Sequence, residues 1–136
     1  MDILSQLQNN KGTLSSRLSE KLAQEVLAGN FDILKAAVEL TQYLIASKKE
    51  KNVRSGAAKI IEIVAMKKPD IVTPFLKKLL PALEAEEPQT RWMIIRTMGF
   101  CSKFNQQISQ KALQYAKSLF GIKKTDFVSL VQQIFF

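Results

Sequence analysis

Apolar residues recur three and four positions apart along almost the whole chain, and no stretch shows the strict alternation of a half-buried strand. These stripes and their stop signals predict seven helices behind a short lead-in. The lead-in, Ile3–Asn10, closes at Lys11-Gly12. Ser15–Ala28 follows and stops at Gly29-Asn30, and Asp32 or Asn30 then caps Ile33–Ser47. The polar stretch Lys48–Asn52 leads into Val53–Met66. Pro69-Asp70 opens a helix over about 70–86, in which Pro81 should make a kink. Pro88 stands at the start of a helix over about 89–104. The last two span about 107–120, stopped by Gly121, and 125–135, capped by Thr125 or Asp126.

Paired helices with short connections invite a search for a period. Arg17, Arg54 and Arg91 are each 37 residues apart, and the next step lands on Val128. Ile33, Ile71 and Ile108 follow at separations of 38 and 37. Each arginine opens one helix of a pair and each isoleucine opens the other, so the unit is a hairpin of about 37 residues. Val53, Ala57, Ile60, Ile61 and Val64 make one apolar stripe, and Ile94, Ile95, Met98 and Cys101 make its counterpart one unit later. A lone hairpin cannot bury such a stripe, so neighbours must stack. The expected fold is all-α: a short α-α superhelix, or solenoid, of three to four stacked helical hairpins, forming one domain over residues 1–136 with both terminal repeats shortened.

The run Leu79-Leu80-Pro81-Ala82-Leu83, then Thr90-Arg91, Ile94, Ile95, Met98 and Gly99, resembles a HEAT repeat, a member of the armadillo-like helical repeats. Val53-Arg54-Ser55-Gly56-Ala57-Ala58 is the best match to that family's second-helix signature. The resemblance covers about residues 31–104, with Thr90 in place of the usual valine, Ile94-Ile95 in place of a small pair, and Val128 in place of the arginine. It implies a concave face lined by the second helices. It also implies that the repeat arginine most often pairs with groups of the adjacent hairpin.

Composition removes several chemistries. The chain has no histidine, which excludes histidine-based triads, histidine-ligated zinc and imidazole proton relays. One cysteine, Cys101, allows no internal disulfide or multi-cysteine metal site and is expected to be an inert buried hydrophobe. Glu84, Glu86 and Glu87 cluster at a hairpin tip, where solvated carboxylates are the expectation, and the five glycines are too scattered for a phosphate-cradling loop. No cofactor and no metal are expected. The N-terminus lacks the features of a secretory signal, and no stretch approaches the ~20 apolar residues of a membrane span, so a cytoplasmic setting is expected.

Charge then changes the picture. The net charge is +8, distributed as −1 over residues 1–47, +3 over 48–87 and +6 over 88–136. Such a field attracts an acidic protein segment, nucleic acid or an anionic surface. Lys59 and Arg96, 37 apart, are candidate partner-binding cations with Lys103, and Trp92 beside Arg91 is a candidate contact aromatic or a space-filling boundary residue. Arg17, Arg54 and Arg91 are either structural or a second cationic row. The leading expectation is a non-catalytic scaffold that binds a protein partner, an acidic segment by preference, through its concave face. The alternative is a nucleic-acid-binding protein that uses the same basic face. Resemblance to helical-repeat DNA glycosylases is discounted because Trp92 and the few aspartates form no catalytic constellation. The terminal Phe135 and Phe136 are expected to fold back while supporting weak self-association.

Overall fold

The computed structural model describes residues 2–9 and 14–120, without the side chains of residues 14–16, 113 and 115–120. The Lys11-Gly12 turn, Gly121, the helix expected over 125–135 and the association expected of Phe135 and Phe136 lie outside the described residues. Among the described residues every regular element is helical.

Helix α1, Ile3–Asn9, is short and starts where Asp2 accepts the Ser5 N–H at 2.7 Å, a bond that holds the Asp2 carboxyl below its ordinary range. Helix α2, Leu14–Leu27, ends as its composition predicts. Gly29 adopts φ 116°, and the N–H groups of Gly29 and Asn30 return to the carbonyls of Val26 and Glu25. Helix α3, Phe31–Leu40, starts without a side-chain cap from Asn30. It also stops seven residues before the expected Ser47. Its apolar pattern does continue through Tyr43, Leu44 and Ile45, but other partners take the backbone there. Leu44 turns to φ 42°, Ile45 O accepts the Glu86 N–H, and the carbonyls of Tyr43, Leu44 and Ser47 accept N–H groups of Arg54.

Helix α4, Lys51–Lys67, is the longest element and is buried along most of its length. The helix expected over 70–86 is instead four short pieces: α5 (Pro69–Val72), a 3-10 turn (Thr73–Phe75), α6 (Leu76–Leu79) and a second 3-10 turn (Leu80–Glu84). Two prolines, Pro74 and Pro81, each remove a backbone donor and crowd the preceding turn, so the chain tightens at both rather than kinking once. Helix α7, Pro88–Phe100, begins on its proline, and α8, Gln106–Phe120, begins where Asn105 Oδ1 accepts the Ile108 N–H at 3.2 Å.

The hairpin partners pack as the period requires. Helix α4 lies between α2 and α7 and makes its most extensive contacts with them, while α3 packs against α4 and α2. Ser19 Oγ donates to Gly56 O at 3.0 Å, which joins equivalent positions of successive units. Between α4 and α7, Arg54 meets Glu87 and, further along both helices, Glu62 meets Arg96, so these two run in the same direction. One continuous core runs from Leu7 on α1 to Ala112 on α8. Leu7 is wedged where a side chain at Gly56 would stand: a methyl group there would lie 2.7 Å from Leu7 Cδ2.

Candidate ligand cleft on the second helices

The three repeat arginines occupy three different environments. Arg17 is exposed on α2. Arg54 is fully buried, and all five of its N–H groups are engaged. Its Nε donates to Glu87 Oε2 at 2.9 Å, Nη1 to Tyr43 O at 3.0 Å and to Leu44 O, and Nη2 to Ser47 O and Glu87 Oε1. Thr90 Oγ1 donates to the same carboxylate. Arg91 is half-buried and donates from Nη1 to Ala85 O at 2.7 Å and to Glu86 O at 3.3 Å. Arg54 and Arg91 therefore clasp the loops that precede their helices, and the three side chains form no uniform cationic row.

An open cleft of about 770 Å³ crosses the N-terminal halves of α2, α4 and α7. Ser19 contributes from α2, Lys51, Ser55 and Lys59 from α4, and Gln89 and Met93 from α7. Lys48 and Glu86 enter from the flanking loops, and Glu87 forms part of the wall. The i, i+4 spacing of Lys51, Ser55 and Lys59 puts them on one side of α4, away from its apolar stripe. Glu87 is already neutralised by Arg54. Lys48 and Lys51 are exposed, and neither has a carboxylate within ion-pair distance among the described residues.

Lys59 and Arg96 are brought together, but by a carboxylate. Glu62, 4% exposed, accepts Lys59 Nζ on Oε1 at 3.0 Å, and its Oε2 lies 3.6 Å from Arg96 Nη1 with no hydrogen bond of its own. The two cations remain about one-third exposed, and the Arg96 guanidinium lies 5.7 Å from the centre of the Phe100 ring. Trp92 is half-buried one turn before Arg96, and Lys103 is exposed in the turn after α7. Neither of them lines the cleft, nor does Arg96.

Cys101 has no solvent exposure. Burial pushes its thiol up to about 11, and Sγ donates to Pro69 O at 3.5 Å, so its sulfur is neither accessible nor ionised near neutrality. Among the described residues no three histidine, cysteine, aspartate or glutamate side chains converge on a metal site, and no helix is long and apolar enough to cross a membrane.

Three residues that matter here escaped the sequence reading, Lys48, Lys51 and Glu62, and a fourth, Glu87, is not the solvated carboxylate expected at the hairpin tip: it is 6% exposed and paired with the buried Arg54. Glu62 carried a signal, being the one charge inside Ile60-Ile61-Glu62-Ile63-Val64-Ala65. Lys48 and Lys51 carried none beyond lying in a polar stretch, because their importance depends on which neighbours lack carboxylates. Comparison with protein-family models, curated proteins and solved structures returned no match.

Proposed function

We propose that this chain is a non-catalytic, HEAT-like helical-repeat scaffold whose cleft over α2, α4 and α7 binds an acidic segment of a partner protein. The observation that carries this reading is the pair Lys48 and Lys51, exposed on an open cleft with no carboxylate to neutralise them among the described residues. A preformed groove orders few of its own groups on binding, so modest contacts can yield useful affinity. Ser19, Ser55 and Gln89 supply neutral hydrogen-bonding groups beside the two cations. The net charge of +8 also favours a polyanion such as nucleic acid, but the exposed Glu86 on the same cleft interrupts a continuous phosphate track.

The test is fluorescence anisotropy with a labelled glutamate-rich dodecapeptide, comparing the wild type, Lys48→Glu/Lys51→Glu and Lys77→Glu/Lys78→Glu. The last variant removes the same charge from exposed lysines on α6 that do not line the cleft. The cleft variant should weaken binding by about tenfold or more and the α6 variant by much less. Equal losses from the two variants, or no binding by the wild type, would overturn the reading.

A further inference from the structure

The cations that the 37-residue period singles out are not the ones the cleft leaves unpaired. Lys59 and Arg96 converge on Glu62, a carboxylate buried between α4 and α7, while Lys48 and Lys51 have no such partner among the described residues. Two positive charges and one negative charge within ion-pair distance leave a small net field where the exposed surfaces of α4 and α7 would otherwise present a strong one. A ligand anion arriving at Lys59 or Arg96 must compete with a carboxylate that is already desolvated and held by the fold. Stripping both cations away would strand Glu62 in the interior, a costly outcome.

We propose that Glu62 is a specificity-determining residue. By acting as the internal counter-ion of Lys59 and Arg96, it withholds them from long polyanions and leaves Lys48 and Lys51 to select a short carboxylate-bearing segment. This inference rests on the acidic-segment reading above and adds the reason why that face discriminates. Without Glu62, the exposed surface would carry Lys51, Lys59 and Arg96 across two adjacent parallel helices, an arrangement suited to a phosphate backbone. With Glu62, it does not.

Salt dependence reads this directly, because each phosphate neutralised by a protein cation adds about 0.9 to the slope of log K against log salt. Binding of a 20-base-pair duplex of random sequence is measured across a salt series for the wild type and three variants. Glu62→Gln keeps the shape of the side chain and frees both cations, so duplex binding should tighten and the slope should steepen by about 2. Glu86→Gln removes the same formal charge from an exposed position on the cleft and should steepen the slope by well under 1. Lys59→Gln/Glu62→Gln/Arg96→Gln strands no charge and should keep the wild-type slope. Equal effects of Glu62→Gln and Glu86→Gln would reduce the finding to net charge and overturn the proposal. A slope about 2 shallower in the triple variant would also overturn it, because Lys59 and Arg96 would then already grip phosphate in the wild type. If circular dichroism shows Glu62→Gln unfolded, the triple variant alone decides. The dodecapeptide measurement on the wild type judges the acidic-segment reading separately, so the two can fail independently.

Discussion

Arg17, Arg54 and Arg91 share a sequence position and differ in what the fold asks of them. Arg54 binds a buried carboxylate and three carbonyls at once, a task suited to the planar guanidinium fork with its five donors. Arg54→Ala should cost about 3–5 kcal/mol in urea unfolding, because it strands Glu87 and unpairs the carbonyls of residues 43, 44 and 47. Arg54→Lys should recover only part of this loss. Arg17→Ala, at an exposed position, should change stability by no more than about 0.5 kcal/mol. Similar losses for Arg17 and Arg54 would contradict the burial difference. The 37-residue spacing made the three look equivalent. It could not show that Glu87 stands opposite Arg54 alone among them, since that pairing joins residues 33 apart on different hairpins.

At the level of elements, helix existence was legible and helix continuity was not. The Schellman turn at Gly29, the proline start of α7 and the asparagine cap of α8 are local devices whose residues lie within one turn of the end they define. Helix α3 ends early because its following turn gives its carbonyls to Arg54 and Glu86, partners far along the chain. The segment from Pro69 to Glu84 is broken rather than kinked once for a simpler reason: Pro74 is as strong a breaker as Pro81. Helix α1 is too short to be stable alone and depends on Leu7, which is 1% exposed and packs against Gly56. Leu7→Ala should destabilise the protein by about 2–5 kcal/mol. Amide exchange should show residues 3–9 losing protection before the rest, and retained protection over that stretch would show that α1 is anchored elsewhere.

Across the molecule, stability should be centred on α4, which touches α2, α3 and α7 and contributes Val53, Ala57, Ala58, Ile60, Ile61 and Val64 to the core. Solenoid energetics are sums of neighbour contacts, so the element with neighbours on both sides opens last. Its amides should exchange only through global unfolding. Those of α8, which packs chiefly against α7, should exchange through smaller openings and therefore faster. Equal protection in α4 and α8 would indicate a single all-or-none unit instead. The charge of the molecule belongs to this scale as well. The net +8 is plain in the composition, yet its local effect depends on cancellation: Glu87 neutralises Arg54, Glu62 tempers Lys59 and Arg96, and on the cleft Lys48 and Lys51 have no ion pair among the described residues.

The all-helical class and the 37-residue hairpin could be read from residue order because both rest on short-range periodicity. An apolar stripe every three to four positions specifies a helix face, and its recurrence specifies stacking. The loop at 41–47, the unequal arginines, the Glu62 counter-ion and the cleft over α2, α4 and α7 arise from contacts between α4 and residues some ten to thirty-seven positions away. Those contacts depend on the rotation of each helix about its axis and its offset against its neighbour. Periodicity leaves both quantities open within a fraction of a turn, and side-chain packing closes them.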